Sequence, residues 1–294
     1  MADKKAAWIG TGVMGKSMCA HLMDKGYSLT VYNRTKSKAD ELVAKGALWC
    51  NSPAEAAKGC DVIFTIVAYP SDVEKVILGE EGVLQTAPSG SVLVDLTTSE
   101  PSLAVRIFEE AAKKGIASVD APVSGGDVGA KNGTLAIMCG GEVKAFNRVL
   151  PMLEAFGDNI KLMGGAGAGQ HTKMCNQTLI AGTMIGVVES LLYAKKAGLD
   201  MNEVIDVIGS GAASSWSINN LGRRISAGNF DPGFFIKHFV KDMGIALKEA
   251  ARMKLSLPGL AMANQFYVAA MAQGLENLGT QGLYKVFEQM NQEG

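Results

Sequence analysis

Six residues near the N-terminus, Gly10-Thr11-Gly12-Val13-Met14-Gly15, constrain this chain most. They follow a short apolar run, Ala6–Ile9, and open a stretch patterned as a helix, Met14–Lys25. A second β-branched run, Ser28–Tyr32, begins about twenty residues on. In a strand–turn–helix unit of this kind, glycines permit a tight turn and let backbone approach a pyrophosphate at the positive end of a helix. The chain holds 35 glycines, so the pattern by itself is weak and its context is what raises it. A tight strand-to-helix turn with no ligand is the alternative.

The first half continues in alternation. Asp61–Val67 and Ser91–Leu96 read as strands, apolar through most of their length, as expected of a parallel sheet covered on both faces. Helical patterns lie at Lys36–Lys45 and Pro101–Lys114. Further strands are expected at Ala117–Val123, Leu135–Cys139 and Asn159–Leu162, with a helix at Val143–Phe156. This alternation predicts a doubly wound α/β domain over residues 1–164. The glycine-rich run Gly164–Gly169 then punctuates the chain. Residues 165–294 read as a helical domain: Thr172–Ala197, Met201–Ile208, Val240–Met253 and Leu260–Gln273. The first of these is expected to be a long interdomain helix of roughly 39 Å, rich in small residues that permit close packing.

Composition excludes several classes. With 48% hydrophobic and 19% charged residues the chain can bury a sizeable core, and disorder is not expected. A formal charge of −1 offers no broad attraction to nucleic acid or anionic lipid. The N-terminal apolar run is too short for a signal-peptide core. The apolar stretch Leu179–Leu192 is interrupted by Gly182, Thr183, Gly186, Glu189 and Ser190, so no membrane span is expected. Five cysteines, never in a CxxC pair, fit free thiols in a reducing compartment, and the cytoplasm is the expected location. Three histidines at unhelpful spacings make a metal site unexpected.

The second strand ends in Asn33-Arg34-Thr35-Lys36. A site for NAD usually carries a carboxylate here, accepting from the ribose hydroxyls. Its absence, with Arg34 and Thr35 able to hold a 2′-phosphate, predicts NADP(H). A solvated helix start is the bland reading of Arg34 and Lys36.

Two later segments carry polar groups in glycine-rich or apolar surroundings. Asp120-Ala121-Pro122-Val123-Ser124-Gly125-Gly126 ends a predicted strand, where ligands of open α/β sheets bind. Ser124 with the N–H groups of Gly125 and Gly126 can form a nest for a carboxylate. The second segment, Gly167-Ala168-Gly169-Gln170-His171-Thr172-Lys173-Met174-Cys175-Asn176-Gln177, starts the long helix. Lys173, Asn176 and Gln177 share one helical face. A lysine in the first turn opposes the helix dipole, a local cost that hints at function, although a surface lysine would look the same.

Together, GTGVMG, DAPVSGG, GAGQHTKMCNQ and Lys241-Asp242 within FVKDMGIAL occur in the order of the β-hydroxyacid dehydrogenase family, which this chain resembles over essentially its whole length. That family includes 3-hydroxyisobutyrate dehydrogenase and the glyoxylate/succinic semialdehyde reductases. The resemblance implies a Rossmann-type N-terminal domain, a helical C-terminal domain and an active site between them. It implies that Lys173 is the general acid, that Ser124, Gly125 and Gly126 hold the substrate carboxylate, and that Asn176 or Gln177 bonds the substrate. Phe234 would line the pocket, and Asp242 would stand beside Lys241, which contacts the cofactor. Gly10, Thr11, Gly12, Val13, Met14, Gly15, Asn33, Arg34, Thr35, Val67 and Thr98 complete the cofactor contacts. Many relatives carry Asn four residues after the lysine, where this chain has Gln177.

The implied reaction interconverts a small carboxylate-bearing hydroxy acid and its semialdehyde, with NADPH-dependent glyoxylate or succinic semialdehyde reduction as the alternative. A nucleotide-binding protein that has lost its chemistry is the reading from a different class. His171 is expected to be structural or exposed and His238 to pack. Cys175 is expected to fill the core, and the methionines to fill gaps in the helical domain. A homodimer or homotetramer is expected from small-residue helix faces.

Overall fold

The computed structural model describes residues 5–291. Nine strands form one sheet: β1 (Lys5–Ile9), β2 (Ser28–Tyr32), β3 (Leu48–Trp49), β4 (Val62–Thr65), β5 (Val92–Asp95), β6 (Ala117–Asp120), β7 (Val123–Ser124), β8 (Leu135–Gly141) and β9 (Gly157–Gly164). Their order is β3-β2-β1-β4-β5-β6-β8-β7, with β9 also paired to β8. The strands from β3 to β6 run parallel; β8 is antiparallel to β6 and β7. This is the doubly wound Rossmann order, whose direction reverses between β1 and β4 and leaves a crevice at their carboxyl ends.

The near-continuous apolarity of these strands is two-sided burial. Ala6, Trp8, Phe64, Val92 and Val94 enter one core, while Ala7, Ile9, Ile63 and Leu93 enter another on the opposite face. Side chains alternate along each strand, so both sets must be apolar when helices cover both faces. Trp8 stacks on Phe64 at 5.2 Å and meets Phe156 edge-on at 6.0 Å, anchoring the larger core. Burying each such aliphatic or aromatic side chain contributes ~1.5–3 kcal/mol.

Helices α1 (Val13–Asp24), α2 (Asp40–Ala44), α3 (Pro53–Ala57), α4 (Pro70–Leu78), α5 (Pro101–Ala112), α6 (Gly126–Asn132) and α7 (Val143–Leu153) belong to this part of the chain. The sequence pattern does not show α3, α4 or α6, which are short. The α3 start is nonetheless encoded locally: Ser52 Oγ accepts from Glu55 N and Glu55 Oε2 from Asn51 N, a variant of the capping box. The strand expected over Ala117–Val123 is two strands, β6 and β7, separated at Ala121-Pro122; a proline cannot donate to the ladder.

The long helix α8 runs from Ala168 to Lys196, 29 residues, starting four residues earlier than the pattern suggests. Helices α9 (Met201–Ile208), α10 (Arg223–Ser226), α11 (Ile236–Arg252), α12 (Pro258–Ala272) and α13 (Leu283–Met290) come after it. A π-helical turn at Ser217–Gly222 precedes α10. The chain divides into two compact units between Lys173 and Met174, inside α8. The second unit has its own core, in which Met184, Val188, Leu191, Phe239, Met243 and Tyr267 are buried.

By length and composition α8 is apolar enough to cross a membrane. Ala181, Met184, Val188 and Leu191 along it are buried in the helical core, and a core helix meets the same criterion. Cys175, expected to fill the core, is exposed, whereas Cys19, Cys50, Cys60 and Cys139 are buried. With α8 beginning at Ala168, Cys175 falls on the same exposed stripe as His171 and Leu179. Of the methionines expected to fill the helical domain, Met184 and Met243 do so, but Met253, Met262, Met271 and Met290 are exposed.

Candidate active site

The turn after β1 uses its glycines for different reasons. Gly10 adopts φ +103°, and a Cβ there would sit 1.9 Å from the Ile66 carbonyl oxygen on the neighbouring strand end. A Cβ at Gly15 would sit 2.2 Å from the Gly10 oxygen. These two glycines close the turn and seat the helix on the sheet. At Gly12 a Cβ would meet nothing within 4 Å. Gly12 is the N-cap of α1, which has no side-chain cap and no acidic residue in its first turn. The Thr11 hydroxyl nearby is buried without a protein hydrogen-bond partner. An open approach, uncapped N–H groups at a positive helix end and an unused hydroxyl fit the pyrophosphate of a dinucleotide.

Asn33 serves this turn from the end of β2. Its Oδ1 accepts from Thr11 N at 3.0 Å and its Nδ2 donates to Thr35 O at 2.8 Å, so the carboxamide braces the glycine turn. Arg34 is 84% exposed and lies 3.5 Å from Asp72 in the first turn of α4. Thr35 precedes a helical turn in which Lys36 stands 5.5 Å from the Trp49 ring centroid. No carboxylate follows β2 before Asp40.

Beyond the ends of β4, β5 and β6 lies a buried polar web that the sequence pattern does not reveal. Thr97 Oγ1 accepts from Val67 N at 2.9 Å. Asp95 Oδ1 accepts from Thr65 Oγ1 at 2.8 Å and from Thr97 N at 3.1 Å. Gln170 donates from Nε2 to Thr97 O at 2.7 Å and accepts at Oε1 from Ser99 N at 2.9 Å, so it grips the peptides on both sides of Thr98. Asp120 accepts from Gly167 N and Gln170 N, each at 2.8 Å, and thereby caps α8. Burial raises the Asp95 carboxyl to about 6, against its hydrogen bonds from Thr97 and Thr65. Burial also raises Asp120, opposed by the backbone N–H groups it accepts from. Asp120 and Gln170 lie in the two segments that the sequence singles out, but nothing in the sequence pattern links them to each other or to Asp95 and Thr97.

Lys173 is buried, at 6% exposure. Because α8 starts at Ala168, the lysine stands in the second turn, not the first, and the expected dipole cost largely disappears. Ser124 ends β7; Gly125 and Gly126, at φ +130° and +63°, turn the chain into α6.

In the helical unit, Asn176 Nδ2 donates to Gln177 Oε1 at 2.7 Å, and Gln177 Nε2 donates to Asp242 Oδ2 at 2.7 Å. Asp242 Oδ1 lies 2.8 Å from the Lys241 ammonium. Asp242 and Gln177 are buried, and Asn176 is only half-buried. The carboxylate can only accept, so it dictates which end of each carboxamide points where. Phe234 stacks on His238 at 6.5 Å and meets Phe239 at 5.9 Å, and His238 also contacts Phe235 edge-on. Burial, then Lys241 and Lys237, lowers the His238 imidazole. His171 is exposed. Among the described residues no cluster of three His, Cys, Asp or Glu could hold a metal. A depression of about 400 Å³ lined by Lys5, Tyr27, Ser28 and Lys45 lies at the opposite ends of β1 and β2 from the glycine turn.

Residues 5–165 match the family model of the NAD-binding domain of 6-phosphogluconate dehydrogenase. Residues 167–287 match that of the NAD-binding domain of NADP-dependent 3-hydroxyisobutyrate dehydrogenase. The chain belongs to the β-hydroxyacid dehydrogenase family. It is therefore an oxidoreductase with a nicotinamide cofactor. An uncharacterised oxidoreductase of Bacillus subtilis is 52% identical, with 97% of this chain and 99% of the relative covered. A probable 3-hydroxyisobutyrate dehydrogenase-like protein of Arabidopsis thaliana, described as mitochondrial, is 51% identical over 99% of this chain and 87% of its own length. The structure of Mycobacterium tuberculosis 3-hydroxyisobutyrate dehydrogenase with L-serine superposes with a TM-score of 0.88 at 28% identity, covering 98% of this chain and 99% of that one.

Proposed function

We propose that this oxidoreductase uses NADP(H) to interconvert a small β-hydroxy acid, of the 3-hydroxyisobutyrate type, and its semialdehyde. The observation that carries the reading is Lys173: an amine buried to 6% exposure, one turn past the web that grips the segment around Thr98. When bound, the nicotinamide supplies or accepts the hydride. Lys173 gives its proton to the carbonyl oxygen during reduction and stabilises the developing alkoxide; in oxidation it assists proton removal. Ser124 and the N–H groups of Gly125 and Gly126 receive the substrate carboxylate. Asn176 orients the substrate oxygen, and Gln177 with Asp242 holds Asn176 in place. Phe234 supplies an apolar wall, and Lys241 meets the cofactor.

NADP(H) is favoured by the end of β2. Asn33 is spent on the glycine turn, and Arg34 offers an exposed guanidinium for a 2′-phosphate. The same ending favours, as a second reading, an NADPH-dependent reductase of glyoxylate or succinic semialdehyde. A homo-oligomer working in a reducing, cytoplasmic environment completes the proposal. Its support is the uncharged helix α12, with Met262 and Val268 exposed, and four buried free thiols.

The test is NADPH and NADH oxidation, in parallel, with glyoxylate, succinic semialdehyde and methylmalonate semialdehyde. Turnover with NADPH and one of these is expected and selects the branch. An NADH preference overturns the role of Arg34, and no turnover with any of the three overturns the substrate class.

A further inference from the structure

Gln170 takes no part in the proposed reaction, yet it is fully buried and its polar atoms point at functional segments. Its carboxamide behaves as a substitute strand: one N–H donates to Thr97 O at 2.7 Å and its oxygen accepts from Ser99 N at 2.9 Å. Those are the two peptide groups that flank Thr98. Its own backbone N–H donates to Asp120 Oδ2 at 2.8 Å, and Asp120 Oδ1 accepts from Gly167 N at the same distance. Gly169, between them, is packed so closely that a Cβ would lie 2.3 Å from Met138 O and 2.5 Å from Asp120 O. The first turn of α8 is thus fixed in height and rotation on the ends of β6 and β8. Lys173 follows Gln170 by three residues, on the adjoining side of the same helix.

We infer that Gln170, seated by Asp120, is a positioning residue that sets Lys173 in register with the Thr98 segment. The inference rests on the reading of Lys173 as proton donor. Proton and hydride must arrive at neighbouring atoms, so a displacement of about 1 Å between their sources costs rate on the order of 10²-fold. The family resemblance places Thr98 near the nicotinamide, so the bonds through Gln170 join the proton donor to the segment beside the hydride source without touching the reacting groups. A purely architectural role would lower stability while leaving the turnover of folded molecules unchanged.

Two variants test this, assayed as 3-hydroxyisobutyrate oxidation by NADP⁺ at pH 5.5 to 9.5, with Lys173→Ala alongside. Gln170→Met removes both side-chain bonds at a similar volume. It is expected to lower kcat about tenfold or more, with KM and the NADP⁺ Kd within about threefold of the parent. Gln170→Glu keeps the shape but donates to Thr97 O only when protonated. Its kcat relative to the parent enzyme is expected to fall at least about fivefold from the acid to the alkaline end of the range. A Gln170→Met enzyme with kcat within twofold of the parent overturns the inference. Should that variant fail to fold, a Gln170→Glu ratio that does not change with pH overturns it. Activity retained by Lys173→Ala sinks the proton-donor reading instead, so the two failures are distinguishable.

Discussion

Gln177 donates to Asp242 across 65 residues of sequence, at 2.7 Å and with both side chains at 2% exposure or less. One carboxylate thereby orients two amides in series, Gln177 and then Asn176, and also pairs with Lys241. Gln177→Asn, one methylene shorter, cannot span that distance and leaves the buried carboxylate short of a donor. A loss of ~1–3 kcal/mol in stability is expected, with a fall in kcat/KM. Urea unfolding and steady-state kinetics check this; a Gln177→Asn enzyme equal to its parent in both would show that Asn176 needs no such support.

Lys173→Ala should lower turnover by a factor on the order of 10² to 10⁴, the range ascribed to a general acid. Cofactor affinity should stay nearly intact. Fluorescence titration of NADPH binding together with single-turnover kinetics separates the two. Most of the activity surviving would remove Lys173 from the chemistry.

The glycine turn predicts opposite outcomes for two alanines. Gly10→Ala must place a methyl 1.9 Å from Ile66 O at φ +103°, so a large loss of thermal stability is expected. Gly12→Ala meets nothing in the protein and should melt close to the parent temperature. Its methyl would occupy the approach to the α1 N–H groups, raising the NADPH Kd about tenfold. Equal Kd values for Gly12→Ala and parent would place the pyrophosphate elsewhere.

Arg34→Ala should weaken NADPH binding at least about tenfold and leave NADH binding unchanged, since only the former carries the 2′-phosphate. The Arg34–Asp72 pair is exposed, and such pairs contribute ~0–1 kcal/mol, so stability should hardly change. Parallel titrations with the two cofactors decide it: equal losses for both would assign Arg34 a role other than phosphate selection.

Asp95 links stability to pH. Burial raises its folded value from 3.8 to about 6, so folding disfavours the ionised form. Stability from this group is full below about pH 4 and lost as the pH rises through 6. Asparagine keeps an oxygen to accept from Thr65 Oγ1 and Thr97 N. Asp95→Asn should therefore match its parent near pH 4 and exceed it at pH 8 by ~1–3 kcal/mol. Urea midpoints at the two pH values measure this, and a variant less stable at pH 8 contradicts it.

The parallel sheet, the glycine turn and the chemistry-bearing motifs were legible in the sequence because each is encoded among near neighbours. Near-continuous apolar side chains in β1, β4 and β5 announce burial on two faces. Short helices such as α4 and α6 were not legible, since about two turns carry too little periodicity to stand out. The start of α8 was also hidden: its cap is Asp120, 47 residues before Gly167, so local residues read as a loop. Only the fold shows Asn33 holding Thr11 across 22 residues of sequence. The bond that ties Gln177 to Asp242 likewise depended on α11 bringing that carboxylate to α8. Local dihedral and hydropathy preferences determined which elements exist and which motifs they carry. Hydrogen bonds between distant segments decided where α8 begins and which amide is spent as a brace, because such partners exist only once the chain has folded.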